Sequence, residues 1–112
     1  MVIVLIRRFV RPDKEKEFLA AYRAQKPCEN PAFKGETLTR ISDLPERHHQ
    51  LRSFALNGLA CITYLNIAKW ESWEAFAEEF AEQLTSAGFN SEIETAPTQR
   101  MVLDVIEDAP CT

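Results

Sequence analysis

The sequence lacks the features typical of membrane-spanning and nucleic-acid-binding proteins. No apolar run approaches the roughly 20 residues that a helix needs to cross a bilayer. No basic cluster is longer than the pair Arg7–Arg8, and the formal net charge is −4. A protein that binds a phosphate backbone needs a basic stripe. We therefore expect neither a membrane nor a nucleic acid as a partner.

Cysteines are also few, and they form no metal-binding or disulfide pattern. The three of them are widely spaced, odd in number and without a CxxC motif: Cys28, Cys61 and Cys111. That pattern favours reduced thiols in the cytoplasm over a disulfide framework or a zinc site. His48 and His49 are adjacent, and adjacent side chains point apart on a helix or a strand. We therefore expect no metal ion at this pair.

Size and composition predict one folded domain over 1–112. The chain of 112 residues is 46% hydrophobic and 27% charged, which suits one core and is too short for two. The apolar opening Met1–Ile6 lacks a preceding basic segment and a small-residue cleavage site, so a buried first strand is expected rather than a signal peptide.

Apolar periodicity divides the chain into four strands and two helices. Asp13 and Ser72 are typical N-cap residues, whereas Pro27 and Gly88 are typical of helix ends. The predicted elements are the strands Val2–Val10, Glu36–Ile41, Ala60–Lys69 and Arg100–Glu107, the helix Lys14–Lys26 and a helix between Ser72 and Gly88. Turns are expected up to Pro97. Ser42–Leu59 fits neither period and is expected to form a short helix or a folded flap.

The order βαββαβ is that of a ferredoxin-like α+β fold, an antiparallel four-stranded sheet with both helices on one face. The first, third and fourth strands nevertheless carry apolar residues at both odd and even positions, and therefore on both faces of the sheet. The uncovered face would be an exposed apolar patch of the kind that marks an interface. We therefore predict a homodimer that pairs two sheet faces across a two-fold axis.

The segment Tyr64–Phe76, YLNIAKWESWEAF, resembles the third strand and second helix of the antibiotic biosynthesis monooxygenase (ABM) family. In that family a Trp closes the strand, and a Ser-capped helix with an Ala-Phe pair follows. The resemblance implies a single ABM-like domain that forms a dimeric α/β barrel. It also implies a monooxygenase activity, because some members oxidise quinol- or anthrone-like aromatics with O₂ and without any metal, flavin or haem cofactor.

The resemblance implies a catalytic pair. In the cofactor-free members an Asn and a Trp at this spacing contact the substrate oxygens, and Asn66 and Trp70 match those positions. The substrate is itself the reductant there, so the protein needs only to exclude water, hold an oxyanion and move a proton. Phe76 stands where the family has a Tyr, and Tyr64 on the Asn66 face is a candidate substitute. Phe80 stands where haem-cleaving relatives have an axial His, which argues against haem degradation.

Three further side chains are candidates for contact with a small hydrophobic or aromatic substrate. Arg8 and Arg40 would clamp an anionic oxygen, or form ion pairs at a sheet edge or interface instead. His49 would serve as a base, because His titrates near neutral pH. The alternative function is a non-catalytic protein of the same fold that binds a small molecule or acts in a stress response, since Phe76 carries no hydroxyl.

Overall fold

The computed structural model describes residues 1–41, 61–85 and 89–110. Several sequence predictions lie outside the described residues: the flap Ser42–Leu59, His48, His49, Gly88 and Cys111. The described elements, in chain order, are β1 (Val2–Val10), α1 (Glu15–Arg23), β2 (Phe33–Arg40), β3 (Ile62–Trp70), α2 (Trp73–Glu79), α3 (Ala81–Thr85) and β4 (Glu94–Asp104).

The strands form one antiparallel sheet in the order β2-β3-β1-β4. With helical segments after β1 and β3, this is the predicted ferredoxin-like α+β fold. The register places Asn66 opposite Ile6 on β1 and opposite Leu38 on β2. Ile6 in turn faces Arg100 on β4. Four side chains from four strands therefore lie in one row across the sheet.

The first helix is shorter than predicted, and its predicted cap is wrong. Pro12 opens a 3₁₀ turn, Pro12–Lys14, because its fixed φ suits a first helical position. That turn contains Asp13, and the N-cap of α1 becomes Lys14, which makes no side-chain cap. The helix ends at Arg23 instead of Lys26. Pro27 disfavours helical geometry in the residue before it, so the helix stops upstream.

The last strand begins earlier than predicted. Glu94–Asp104 is continuous strand, although Pro97 suggests a turn. Because β4 lies at the sheet edge and its pairing to β1 shifts register between Arg7 and Val10, a residue without an N–H is accommodated there. The prediction of turns up to Pro97 is therefore wrong for this segment, and the strand ends at Asp104 instead of Glu107.

Ser72 caps the second helical segment as predicted: its hydroxyl accepts a hydrogen bond from the Ala75 N–H at 3.1 Å. The segment is divided at Phe80, whose φ of −113° and ψ of 28° are not helical. The hydrogen bonds Phe80 N–H to Phe76 and Leu84 N–H to Phe80 continue across the break. The two short helices therefore act as one amphipathic unit.

The core lies on the face of the sheet that the helices cover, in two clusters. One is centred on Trp70 and Phe76, both 1% exposed, against β1 and α2. The other joins Phe18 of α1 to Tyr64 and Val10. No helix among the described residues is long and apolar enough to cross a membrane.

The opposite face of the sheet, called the outer face below, carries apolar side chains that are only partly covered. Register and alternation place these residues on it: Ile3, Leu5, Leu65, Ile67, Met101 and Leu103. Met101 is 59% and Leu103 38% exposed. The predicted apolar character of both sheet faces is therefore present in the folded protomer.

Candidate active site

A cavity of about 1250 Å³ lies between the sheet and the helices. The two core clusters flank it, so its walls come from both helical segments and its floor from all four strands. The residues used below that line it are Ile6, Arg8, Phe18, Tyr22, Phe33, Glu36, Asn66, Trp70, Phe76, Phe80 and Arg100. Of the site residues predicted from the sequence, five are brought together here: Arg8, Asn66, Trp70, Phe76 and Phe80.

Asn66 is the most unusual polar side chain of the floor. It is only 9% exposed, and its amide Nδ2 donates to Glu36 Oε2 at 2.9 Å. Its Oδ1 is buried and has no hydrogen-bond partner in the described part of the chain. A buried, unsatisfied amide oxygen destabilises the fold by about 1–3 kcal/mol. A ligand that donates a hydrogen bond to this oxygen would offset that cost.

Glu36 connects Asn66 to the first helical wall. Its second oxygen, Oε1, accepts a hydrogen bond from the Tyr22 hydroxyl at 3.1 Å. Burial, and then the Glu36 charge, raise the pKa of Tyr22 above its ordinary value. Tyr22 therefore stays a neutral donor at neutral pH. Glu36 is a carboxylate that lines the cavity with a donor on each oxygen, which is a suitable position for a proton acceptor.

A β-bulge determines which side chains of β2 face this cavity. Phe33 pairs with Trp70 and Glu36 with Ala68, so Lys34 and Gly35 together oppose one residue of β3. Gly35 has a φ of +107°, which residues with a Cβ rarely adopt. Because the bulge inserts one residue, Phe33 and Glu36 both point to the helix side despite their odd spacing.

Trp70 is the centre of an aromatic wall. Its ring lies 5.3 Å from Phe33, 5.7 Å from Phe76 and 5.9 Å from Phe80, between ring centroids. The contacts with Phe76 and Phe80 are edge-on, an arrangement favoured by the ring quadrupoles. This wall suits a flat aromatic ligand. Phe76 brings no hydroxyl to it.

Arg8 reaches the cavity from the β4 side but is already paired. Its Nε and Nη2 lie 2.7 and 3.0 Å from the two oxygens of Glu94, which is 3% exposed. The guanidinium also lies 5.0 Å from the centroid of the Phe18 ring. Of the two readings given for Arg8, the ion pair is therefore the one observed in the protomer.

Tyr64 and Arg40 are not among the residues that line the cavity. The Tyr64 ring stacks on Phe18 at 4.7 Å, and its hydroxyl donates to Glu15 Oε1. Arg40 Nη1 binds the same oxygen at 2.7 Å. The two form a Glu15 cluster beside α1 instead of contacting Asn66. His49 lies outside the described residues.

Sequence reasoning missed Glu36, Tyr22 and Arg100. Glu36 had a usable signal, since it shares its parity on β2 with Leu38, which pairs with Asn66. Tyr22 falls within the apolar stripe of its helix, where a hydroxyl gives no distinct signal. Arg100 stood at the expected start of a strand, where its orientation was undetermined.

The groups at this site include no metal-binding set. Across 1–41, 61–85 and 89–110, no three His, Cys, Asp or Glu side chains cluster as metal ligands. What these residues supply is an acceptor oxygen, a carboxylate, a phenol and two guanidiniums around an aromatic wall. That set can bind a hydroxylated aromatic, take its proton and exclude water from its ring.

No family model and no curated protein matches the chain, but solved structures do. MhuD with two manganese protoporphyrins per active site superposes with a TM-score of 0.63 and 17% identity over 99% of this chain and 100% of that one. A Bacillus cereus protein named as an antibiotic biosynthesis monooxygenase superposes with a TM-score of 0.59 and 10% identity, over 99% of this chain and 96% of that one. A variant of SnoaB, a cofactor-independent oxygenase from Streptomyces nogalater, superposes with a TM-score of 0.51 and 22% identity, over 97% of this chain and 96% of that one.

The chain has the ABM fold. The superpositions extend over nearly the whole length of each protein, so the family resemblance found in Tyr64–Phe76 is confirmed at the level of the fold. The haem degrader MhuD from Mycobacterium tuberculosis, with two haems in its active site, shares it at 21% identity and a TM-score of 0.53. The ABM fold therefore houses more than one oxidative reaction and does not by itself name the substrate.

Proposed function

We propose that the chain is a cofactor-independent monooxygenase that oxidises a small, electron-rich, quinol- or anthrone-like aromatic with O₂. The observation that carries this proposal is Asn66, nine-tenths buried on the cavity floor with an unsatisfied Oδ1 beside the Glu36 carboxylate. Trp70 and its neighbouring rings form the surface on which the substrate ring lies. SnoaB, which shares the fold, is a cofactor-independent oxygenase.

The reaction balances without an external reductant. An anthrone-like CH₂ loses four electrons to become C=O, and O₂ gains four, leaving one oxygen atom in the product and one in water. The substrate enol donates its hydroxyl hydrogen towards Asn66 Oδ1 and Glu36, and Glu36 takes the proton. The resulting enolate passes an electron to O₂, and a C–O bond forms between the two radicals.

The peroxide formed in this way is then cleaved. The carbon passes its remaining proton to the terminal peroxide oxygen as the O–O bond breaks, and hydroxide leaves. Glu36 returns its proton to that hydroxide to give water. Protonation of Glu36 removes the charge that holds the Asn66 amide, so Nδ2 becomes free to donate to the substrate oxyanion.

Oxygen uptake by chelator-treated protein, with a panel of anthrones and naphthalenediols, tests this proposal. We expect Asn66→Ala and Glu36→Gln each to lower turnover by about 10²-fold, the usual effect of losing one group that stabilises the developing charge. Glu17→Gln is the matched control, since Glu17 is an exposed residue of the first turn of α1 and should leave uptake unchanged.

Circular dichroism and the thermal midpoint must show that each variant is folded. Full activity in folded Asn66→Ala would refute the role of Asn66. Activity lost in wild-type protein after chelation and restored by a metal would refute the cofactor-independent mechanism.

The alternative is a non-catalytic protein that holds a hydrophobic metabolite in the same cavity. Phe76, buried and without a hydroxyl in the aromatic wall, favours it. Saturable binding without oxygen consumption across the panel would support this alternative. Haem cleavage remains a third candidate, because MhuD shares the fold. Against it stands Phe80, a non-ligating side chain on the cavity wall.

The proposed working unit is a homodimer formed through the outer face. Its apolar rows include Ile3, Leu5, Ile67 and Met101. Apolar side chains that are partly exposed in one chain are typical of a protein–protein interface. A second copy fits because a two-fold axis matches a patch with itself. The cytoplasm remains the predicted compartment.

A further inference from the structure

The cavity has a distinct cationic side, where β1 and β4 meet. Two arginines line it there, Arg8 and Arg100. Arg8 is neutralised by the buried carboxylate of Glu94. Arg100 makes no hydrogen bond and no ion pair with any residue in the described ranges. Burial, and then the charge of Arg8, lower the pKa of Arg100. Arg100 is nevertheless an exposed residue, so it is accessible to a ligand anion, which would stabilise its charge.

The register fixes how far this cation lies from Asn66. Ile6 pairs with Asn66 on one side and with Arg100 on the other. Two strand spacings separate the two residues, so their Cα atoms lie about 10 Å apart on the same face. The apolar Ile6 forms the floor between them. A bicyclic or tricyclic aromatic with polar groups at opposite ends would cover this span.

The carboxylates of the cavity lie away from Arg100. Glu36 is on β2, at the far edge of the sheet, and Glu29 lies in the segment before that strand. Glu79 on α2 accepts a hydrogen bond from Asn30 Nδ2, in the same segment, at 3.3 Å. Arg23 and Lys26 also line the cavity, but they lie at and beyond the end of α1, off the sheet row that carries Asn66 and Arg100. The cavity is thus polarised, with a proton acceptor at one side and, among the described residues, an unpaired guanidinium at the other.

We propose that the ligand of this cavity is an aromatic hydroxy acid whose carboxylate binds Arg100 while its hydroxyl binds Asn66 and Glu36. Resting on the proposed function, this inference names the substrate class of the same site. Arg100 offers a planar fork to the two carboxylate oxygens. Arg8 is held by Glu94 and does not compete for the anion.

Calorimetric titration with a hydroxynaphthoic acid, its groups at opposite ends of the rings, and with its methyl ester tests the proposal. Wild-type protein is expected to bind the acid at least about tenfold more tightly than the ester, the usual gain from a charged hydrogen bond. In Arg100→Gln the ratio should fall to about one, and Arg100→Lys should retain part of it because it keeps the charge but not the fork. Arg11→Gln, which removes the same charge from an exposed residue outside the cavity, should keep the full ratio.

Equal affinity of wild-type protein for acid and ester, or no binding of either, would overturn the proposal. So would an unchanged ratio in Arg100→Gln. The titration needs no turnover, so its failure is distinguishable from failure of the monooxygenase proposal. Acid selectivity without oxygen uptake would support the anion site and count against the monooxygenase reaction. Asn66-dependent uptake without acid selectivity would support the reaction and refute the anion site.

Discussion

Tyr64 carries a hydroxyl that is held beside a carboxylate. Burial, and then its hydrogen bond to Glu15, raise the pKa of Tyr64 to about 12. Correspondingly, the hydrogen bond from Tyr64 and that from Arg40 lower the pKa of Glu15. The cluster therefore stabilises neutral Tyr64 and charged Glu15 in the folded state. It joins α1 to β2 and β3 without entering the cavity.

The raised pKa of Tyr64 predicts a loss of stability at alkaline pH. Its contribution is complete below the unfolded pKa of 10 and is lost as pH rises through the folded value of about 12. Wild type should exceed Tyr64→Phe by about 1 kcal/mol at neutral pH, and the difference should shrink in that window. Urea unfolding of both proteins across the pH range measures it. A difference that stays constant up to the alkaline limit would contradict the assignment.

Individual residues differ in how far the sequence predicted them. Asn66 and Trp70 were predicted as substrate contacts from the family resemblance, and both are among the residues that line the cavity. The unpaired state of Asn66 Oδ1 and the pairing of Arg8 with Glu94 were not predictable. Both depend on side chains far apart in sequence, which only the sheet register brings together.

Among the elements, β2 shows most clearly how local geometry shapes the site. Its bulge at Lys34 and Gly35 lets Phe33 contact Trp70 while Glu36 contacts Asn66. The predicted strand begins at Glu36, because a Lys-Gly pair before a strand is typical of a turn. A positive-φ glycine marks a turn and a bulge equally well, so partner pairing alone decides between them.

Gly35→Ala should destabilise the protein through backbone strain alone. A Cβ at this position meets no atom of the described structure within 4 Å, but the φ of +107° remains unfavourable. We expect a loss of about 1–3 kcal/mol, measured by urea unfolding. Thr37→Ala, an exposed change in the same strand, should cost about 0.5 kcal/mol or less. Equal effects of the two substitutions would show that the bulge is not under strain.

At the scale of the whole molecule, the described residues cover one sheet face and leave the other only partly covered. The helices and the cavity occupy the first, whereas on the outer face Met101 is 59% and Leu103 38% exposed. A partner on the outer face would cover the back of the sheet that forms the cavity floor. Together with the helices it would hold the site rigid, which suits a reaction that requires water to be excluded.

Met101→Asp should separate the proposed dimer. A charge placed within an apolar interface leaves an unpaired, desolvated carboxylate, so we expect at least a tenfold weaker association by light scattering after size exclusion. Since Met101 is 59% exposed in the protomer, the variant should still fold. Ala20→Asp on the exposed side of α1 is the matched control. Wild-type protein that is monomeric at micromolar concentration would refute the proposed dimer.

The sequence by itself determined the element order, the helix-covered α+β architecture and the position of Asn66 and Trp70. These features follow from periodicity, capping and parity, which act over a few neighbouring residues. Only the tertiary structure decided that Glu36 accepts hydrogen bonds from both Asn66 and Tyr22, that Tyr64 and Arg40 turn to Glu15, and that Arg100 has no partner among the described residues. The physical reason is that charge pairing and burial depend on strand register, and register is settled by contacts between residues distant in the chain.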